Sequence, residues 1–112
     1  MRGTSLEQFE ATNAAGVRHL IGAAVEQKVP RFLLMSSLAA REPGLSHYAA
    51  SKRRGEQVLA EEAGKVAWVA LRPPAVYGPG DTELLPLFRA MARGLAPVPG
   101  SPVARFSMLY VD

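Results

Sequence analysis

The sequence predicts an α/β fold organised around a parallel sheet, and three observations predict it. Segments with helical spacing alternate with short apolar runs in the order helix, strand, helix, strand, helix, strand. That alternation is the mark of parallel strands joined by crossover helices. The apolar runs, Phe32 to Met35 and Val66 to Leu71, are continuous rather than alternating, as in strands covered on both faces. The standout polar residues Ser36, Ser37 and Arg72 directly follow those runs, and ligands bind beyond the carboxyl ends of strands in such sheets. Right-handed crossovers then place consecutive strands side by side.

Each element follows from local chemistry. Thr4 with Glu7 and Ser5 with Gln8 both have capping-box spacing and open a helix. Leu6, Phe9, Val17, Leu20 and Ala24 recur at helical spacing, so this helix is expected from about Leu6 to Gln27, stopping before Pro30. Asn13 falls on the same stripe, and a buried amide there needs hydrogen-bond partners. Arg31 to Met35 reads as a strand, and a polar loop with Pro43 and Gly44 follows. Ser46 can cap a second helix, from about Tyr48 to Ala63, ended by Gly64. Val66 to Arg72 is a second strand with Trp68 expected in the core, and Pro73 and Pro74 stop it. Tyr77 to Asp81 is turn-rich, Leu84 to Arg93 reads as a third helix with Gly94 near its end, and Phe106 to Val111 reads as a last strand.

Composition narrows the class. A chain of 112 residues is the size of one domain. Its 48% hydrophobic and 21% charged content excludes a disordered or collagen-like chain. No apolar run approaches the roughly 20 residues that span a bilayer, and the N-terminus lacks the apolar core of an export signal. Without cysteine there is neither a disulfide framework nor a thiolate metal site. A reducing, cytoplasmic setting is the default expectation. The net charge is +3, and Arg53 and Arg54 are followed at once by Glu56, Glu61 and Glu62. That pattern reads as a solvated helix face, not the basic stripe of a nucleic-acid binder. His19 and His47 have no partner at metal-ligand spacing and are expected at the surface.

The chemistry concentrates at Tyr48-Ala-Ala-Ser-Lys52. Residues four apart are neighbours on a helix, and a cation beside a phenol favours the phenolate. Such a pair is a credible general acid and base. A surface lysine beside an interfacial tyrosine is the plainer alternative. Lys52, however, shares a stripe with Tyr48, Gly55, Leu59 and Ala63, away from Arg53 and Arg54. A hydroxyl from Ser36 or Ser37 could hydrogen-bond a substrate carbonyl next to the tyrosine. Serine, tyrosine and lysine together make a carbonyl-reducing or alcohol-oxidising site.

Five segments carry a resemblance: Asn13-Ala-Ala-Gly16, Arg31-Phe-Leu-Leu-Met-Ser-Ser37, Tyr48-Ala-Ala-Ser-Lys52 with Glu56, Leu71-Arg-Pro-Pro-Ala-Val-Tyr-Gly-Pro-Gly-Asp81, and Tyr110-Val-Asp112. In these the chain resembles the short-chain dehydrogenase/reductase superfamily, in its extended or atypical branch, the NAD(P)-dependent epimerase/dehydratase family. The resemblance implies a partial Rossmann-like, doubly wound parallel sheet with flanking helices. It implies NAD or NADP as cofactor and a small carbonyl or alcohol as substrate; the charge pattern and the short apolar runs add the expectation of no nucleic-acid or membrane partner. Tyr48 would exchange a proton with the substrate oxygen, and Lys52 would tune it and bind the nicotinamide ribose. Ser37 would orient the substrate oxygen, with Ser36 the alternative one register away and a cofactor contact. Asn13 would support the site or its water, or is simply a satisfied buried amide. The backbone of Pro73, Pro74, Ala75 and Val76 would pass close to the nicotinamide ring, and Tyr77 to Gly80 would shape the substrate side, or form a plain turn. Arg72 reads as a strand-end cap before a substrate contact. The intact parent could be a homodimer.

Two departures set the expected limits. The family's glycine-rich turn after a first strand is absent: Gly16 and Gly22 are wrongly spaced, and Glu83 stands where a third glycine would follow Gly78 and Gly80. The stretch between Ser37 and Tyr48 is short for an enzyme of nucleotide sugars. The expectation is therefore a single partial domain over residues 1–112, the central and late part of a dinucleotide-binding domain running into the substrate region, with Met1 an internal methionine or a misassigned start. Its parent would be an NAD(P)-dependent oxidoreductase or epimerase, and the piece alone inactive. The alternative is a non-catalytic relative that binds cofactor or serves as an assembly subunit.

Overall fold

A computed structural model describes residues 5–95, 101, 103 and 105–112. Two compact units divide between Pro73 and Pro74.

In the first unit the chain opens on α1 (Leu6–Glu10), passes through a π-helical turn (Ala11–Ala15) and continues as α2 (Gly16–Glu26). Of the two capping boxes read from the sequence, Ser5 with Gln8 forms: the Gln8 N–H donates to Ser5 Oγ and the Ser5 N–H to Gln8 Oε1. Thr4 lies outside the described residues. The helix stops at Gln27, one residue before Lys28 takes a left-handed φ of 53°. The N–H groups of Lys28 and Val29 then satisfy the carbonyls of Val25 and Ala24, a Schellman closure. Ala14, Val17, Ile21 and Ala24 are buried, whereas Leu20, expected on the stripe, is 63% exposed.

Strand β1 (Arg31–Met35) matches its expected bounds, and helix α3 (His47–Glu62) and strand β2 (Ala67–Leu71) follow. Ser46 caps α3 by accepting the Ala49 N–H. Two 3-10 turns, Leu38–Arg41 and Pro43–Leu45, fill the short stretch before it. β1 and β2 pair in parallel, Phe32 beside Trp68 and Leu34 beside Ala70. Helices α2 and α3 bury Val17, Ile21, Ala24, Val58, Leu59 and Ala63 together, with Phe32, Leu34 and Val66 packed on them. Ile21 and Leu59 are fully buried, each stabilising the unit by about 1.5–3 kcal/mol.

Here two expectations are corrected. Exposed and half-buried residues alternate along β1, so among the described residues only one sheet face is covered. Leu33 and Met35 project from the other face and are exposed. Trp68 is also corrected, from core to 44% exposed. It lies in an open groove of about 460 Å³ with Arg53, Glu56 and Arg72. The apolar run is the same in both readings; α2 and α3 cover only the side that carries Phe32 and Leu34.

The second unit holds β3 (Ala75–Tyr77), α4 (Leu85–Ala92) and β4 (Met108–Tyr110). β3 was not expected, because Pro73 and Pro74 read as a stop. It pairs in parallel with β4, Tyr77 beside Tyr110. The Tyr77 ring also meets Phe88, with ring centres 5.5 Å apart. Gly78 has a φ of 150°, and a Cβ there would collide with Val111. Asp81 accepts the N–H groups of Glu83 and Leu84 just ahead of α4.

Candidate active site

Helix α3 carries Tyr48, Lys52 and Glu56 one turn apart, so all three share a face. Tyr48 is half-buried, and its ring meets Phe9 of α1 edge to face at 5.8 Å. The Lys52 ammonium sits 5.8 Å from the centre of the Tyr48 ring. It donates to the carbonyl oxygen of Met35, the last residue of β1, at 3.2 Å. Burial lowers the pKa of Lys52 below its ordinary 10.5, because partial removal from water penalises the charged form. The structure therefore brings Tyr48 and Lys52 together at the carboxyl end of β1.

The two serines take different parts. Ser36 is buried and donates its hydroxyl proton to Glu56 Oε1 at 2.5 Å. Ser37 is half-buried, and its oxygen accepts the Ala39 N–H at 3.2 Å, capping the first 3-10 turn. Among the described residues the Ser37 hydroxyl proton has no acceptor, which leaves it able to donate. Pro73 closes the first unit, and its carbonyl accepts the Leu38 N–H at 2.9 Å. Pro74 opens the second unit, and Ala75 and Val76 begin β3.

Asn13 sits in the π-helical turn and donates through Nδ2 to Ser51 Oγ at 3.0 Å. Ser51, fully buried, donates in turn to the Tyr48 carbonyl at 2.8 Å. Asn13 is thus linked through one side chain to the turn that carries Tyr48. Turns of this π kind recur at functional sites.

Three participants were missed from the sequence. Ser51 lay unremarked between Tyr48 and Lys52. Gly55 was read only as a member of the stripe. Glu56 was grouped with Arg53 and Arg54 on a solvated face, yet it is 7% exposed. Arg72 holds it with both arms, Nε to Oε1 at 2.8 Å and Nη2 to Oε2 at 2.6 Å. The Arg72 fork pulls the Glu56 carboxyl below its ordinary range, aided by Ser36 and opposed by burial. The available signal was the spacing: Glu56 follows Lys52 by one helical turn and so had to share its inward face. His19 and His47 are exposed, and no cluster among the described residues could hold a metal ion. No described helix is long and apolar enough to cross a membrane.

These residues fit one end of a nicotinamide dinucleotide. An ammonium has three protons to donate, and Lys52 spends one on Met35. Tyr48 Oη has no hydrogen-bond partner among the described residues. No glycine-rich turn follows β1 or β2 in the sequence, so the phosphates find no such cradle beside these two strands.

Residues 2–112 match the model of the NAD dependent epimerase/dehydratase family. A ceramide reductase of Caulobacter vibrioides is 46% identical over all 112 residues, which span 34% of that protein. A 2-alkyl-3-oxoalkanoate reductase of Stenotrophomonas maltophilia is 40% identical over 67 residues, covering 58% of this chain and 20% of the relative. Among solved structures, a Bacillus halodurans protein assigned to the NAD-dependent epimerases/dehydratases superposes with a TM-score of 0.60 at 20% identity, over 73% of this chain and 40% of its own. The capsular polysaccharide assembling protein CapF of Staphylococcus aureus gives 0.59 at 23% identity, over 85% of this chain and 27% of its own. At these identities the structural likeness carries the fold, a Rossmann-like parallel sheet with flanking helices.

Proposed function

The chain belongs to the NAD-dependent epimerase/dehydratase family, and on that premise we propose that it is the catalytic stretch of an NAD(P)-dependent carbonyl reductase. One observation carries the reading: the half-buried Lys52 ammonium, tied to the end of β1, stands 5.8 Å from the Tyr48 ring. A free surface lysine would be held by neither contact.

In this reading Tyr48 gives its proton to the substrate carbonyl oxygen as that oxygen gains charge. Lys52 stabilises the phenolate left behind and donates its remaining protons to the nicotinamide ribose. Ser37 donates to the same substrate oxygen and orients it. Asn13, through Ser51, steadies the turn that holds Tyr48. The backbone from Pro73 to Val76 lines the nicotinamide side, as the family resemblance implies. The chemistry that a bound NADH or NADPH supplies is a hydride for the carbonyl carbon, so the product is an alcohol.

The two curated relatives are named as reductases of ceramide and of a 2-alkyl-3-oxoalkanoate. Both names describe molecules with alkyl chains. The substrate class we assign is accordingly a ketone, or the matching secondary alcohol, on an alkyl-chain lipid. The 112 residues taken alone bind dinucleotide poorly, which a titration followed by the fluorescence of Trp68 reads directly.

The test is to incubate the full-length enzyme with long-chain 3-oxo lipids and each reduced cofactor, and to follow cofactor oxidation. Ketone-dependent oxidation is expected. Tight dinucleotide binding with no turnover on any ketone would favour a cofactor-binding or assembly subunit instead.

A further inference from the structure

Glu56 is placed to hold more than its own charge. It lies one helical turn beyond Lys52 on α3. Lys52 reaches Met35, the last residue of β1, and Glu56 reaches Ser36, the next residue along. The same carboxylate accepts both arms of Arg72, the residue that follows β2. The two strand ends are already joined, since the Ser36 N–H donates to the Leu71 carbonyl at 2.7 Å. One carboxylate therefore ties α3 to the carboxyl ends of both strands, beside the two residues of the proposed acid-base pair.

Stability alone is a weak reason for such an arrangement. A buried ion pair often contributes no more than a well-packed apolar group of similar volume. What an apolar group cannot do is fix an angle. Three charge-assisted or hydroxyl hydrogen bonds at 2.5, 2.6 and 2.8 Å restrict the roll of the helix in a way that dispersion contacts do not. Arg53 adds a looser contact to Glu56 from the same helix, at 3.6 Å.

We infer that Glu56 is a positioning residue: through Ser36 and Arg72 it sets the roll of α3, and so holds the Lys52 ammonium against Met35 and beside Tyr48. By accepting the hydrogen bond of the Ser36 hydroxyl, it also leaves Ser37 as the hydroxyl open to a substrate. The inference rests on the reductase reading only in giving Lys52 a chemical purpose; the geometry it asserts can be measured without turnover.

The experiment is a pH titration of the Lys52 side chain by NMR in the full-length protein carrying isotope-labelled lysine. The Lys52 signal is identified by its loss in Lys52→Arg, with Lys28 and Lys65 as exposed references. In Glu56→Gln, with folding verified by circular dichroism, the Lys52 midpoint is expected to rise by about half a pH unit or more toward the exposed lysines, because release from the strand end returns the ammonium to water. Arg72→Lys keeps a charge but loses the fork, and a smaller rise is expected. An unmoved or lowered Lys52 midpoint in a folded variant would overturn the inference. Loss of fold in both variants would overturn it too, by making Glu56 a structural staple. Failure here is separable from failure of the reductase reading, which the turnover assay decides.

Discussion

The carbonyl oxygen of Asn13 occupies the space that a Cβ on Gly55 would need. The π-helical turn and α3 therefore meet backbone to backbone, and that close approach brings the Asn13 amide within 3.0 Å of Ser51. Gly55→Ala must push the two helices apart. It is expected to destabilise the protein by about 1–3 kcal/mol, as overpacking does, and to outweigh the gain in helix propensity. Gly22, in the middle of α2, has nothing within 4 Å of its Cβ position. Gly22→Ala is expected to stabilise by about 0.5–1 kcal/mol. Opposite shifts in denaturant midpoint check the pair, and equal shifts would contradict the packing described.

The Glu56 network makes acid stability specific. Its carboxyl is held below the ordinary 4.5 by Arg72, with Ser36 adding to the effect. As pH falls below about 4.5, the unfolded chain takes up this proton before the folded one. The network's contribution is present above that pH and is lost as pH drops through the folded value. Melting temperatures measured from pH 6 downward should fall more steeply in the native protein than in Glu56→Gln. Parallel curves would mean that the fork with Arg72 is not formed.

Ser36 and Ser37 are adjacent but should respond differently. Ser37→Ala removes a hydroxyl proposed to touch the substrate oxygen, and kcat is expected to fall by about 100-fold or more, with a stability loss of about 1 kcal/mol from the lost cap on the Ala39 N–H. Ser36→Ala removes one of the hydrogen bonds to Glu56 and is expected to cost about 1–3 kcal/mol in stability, with a smaller effect on kcat. Reversal of the two profiles would move the substrate contact to Ser36.

Much of this arrangement was legible in the chain. Spacing alone placed Tyr48 and Lys52 on one helix face, and the continuous run Phe32 to Met35 gave β1 its bounds. Leu20 and Trp68 were misread because periodicity reports which residues are apolar, not which neighbours cover them. Leu20 keeps its helical spacing from Val17 and Ala24 but lies beside the exposed Leu33 and Met35, where no described element covers it, and α2 and α3 left Trp68 half in solvent. β3 was hidden by two prolines that read as a stop, although a proline is tolerated ahead of a short edge strand. Glu56 stands beside the Tyr48–Lys52 motif in the sequence reading but is given no role there. Charge patterning put it among solvated residues, and the two-armed partner that fixes its charge, Arg72 across the strand end, is a tertiary fact.

The central claim is that Tyr48 moves the proton, and Tyr48→Phe tests it most directly. The measurement is kcat together with dinucleotide affinity in the full-length enzyme, since the ring and its contact with Phe9 survive the change. The account predicts a fall in kcat of about 100-fold or more, the scale of a lost general acid, with cofactor affinity changed only slightly. Turnover near that of the native enzyme in Tyr48→Phe would contradict it.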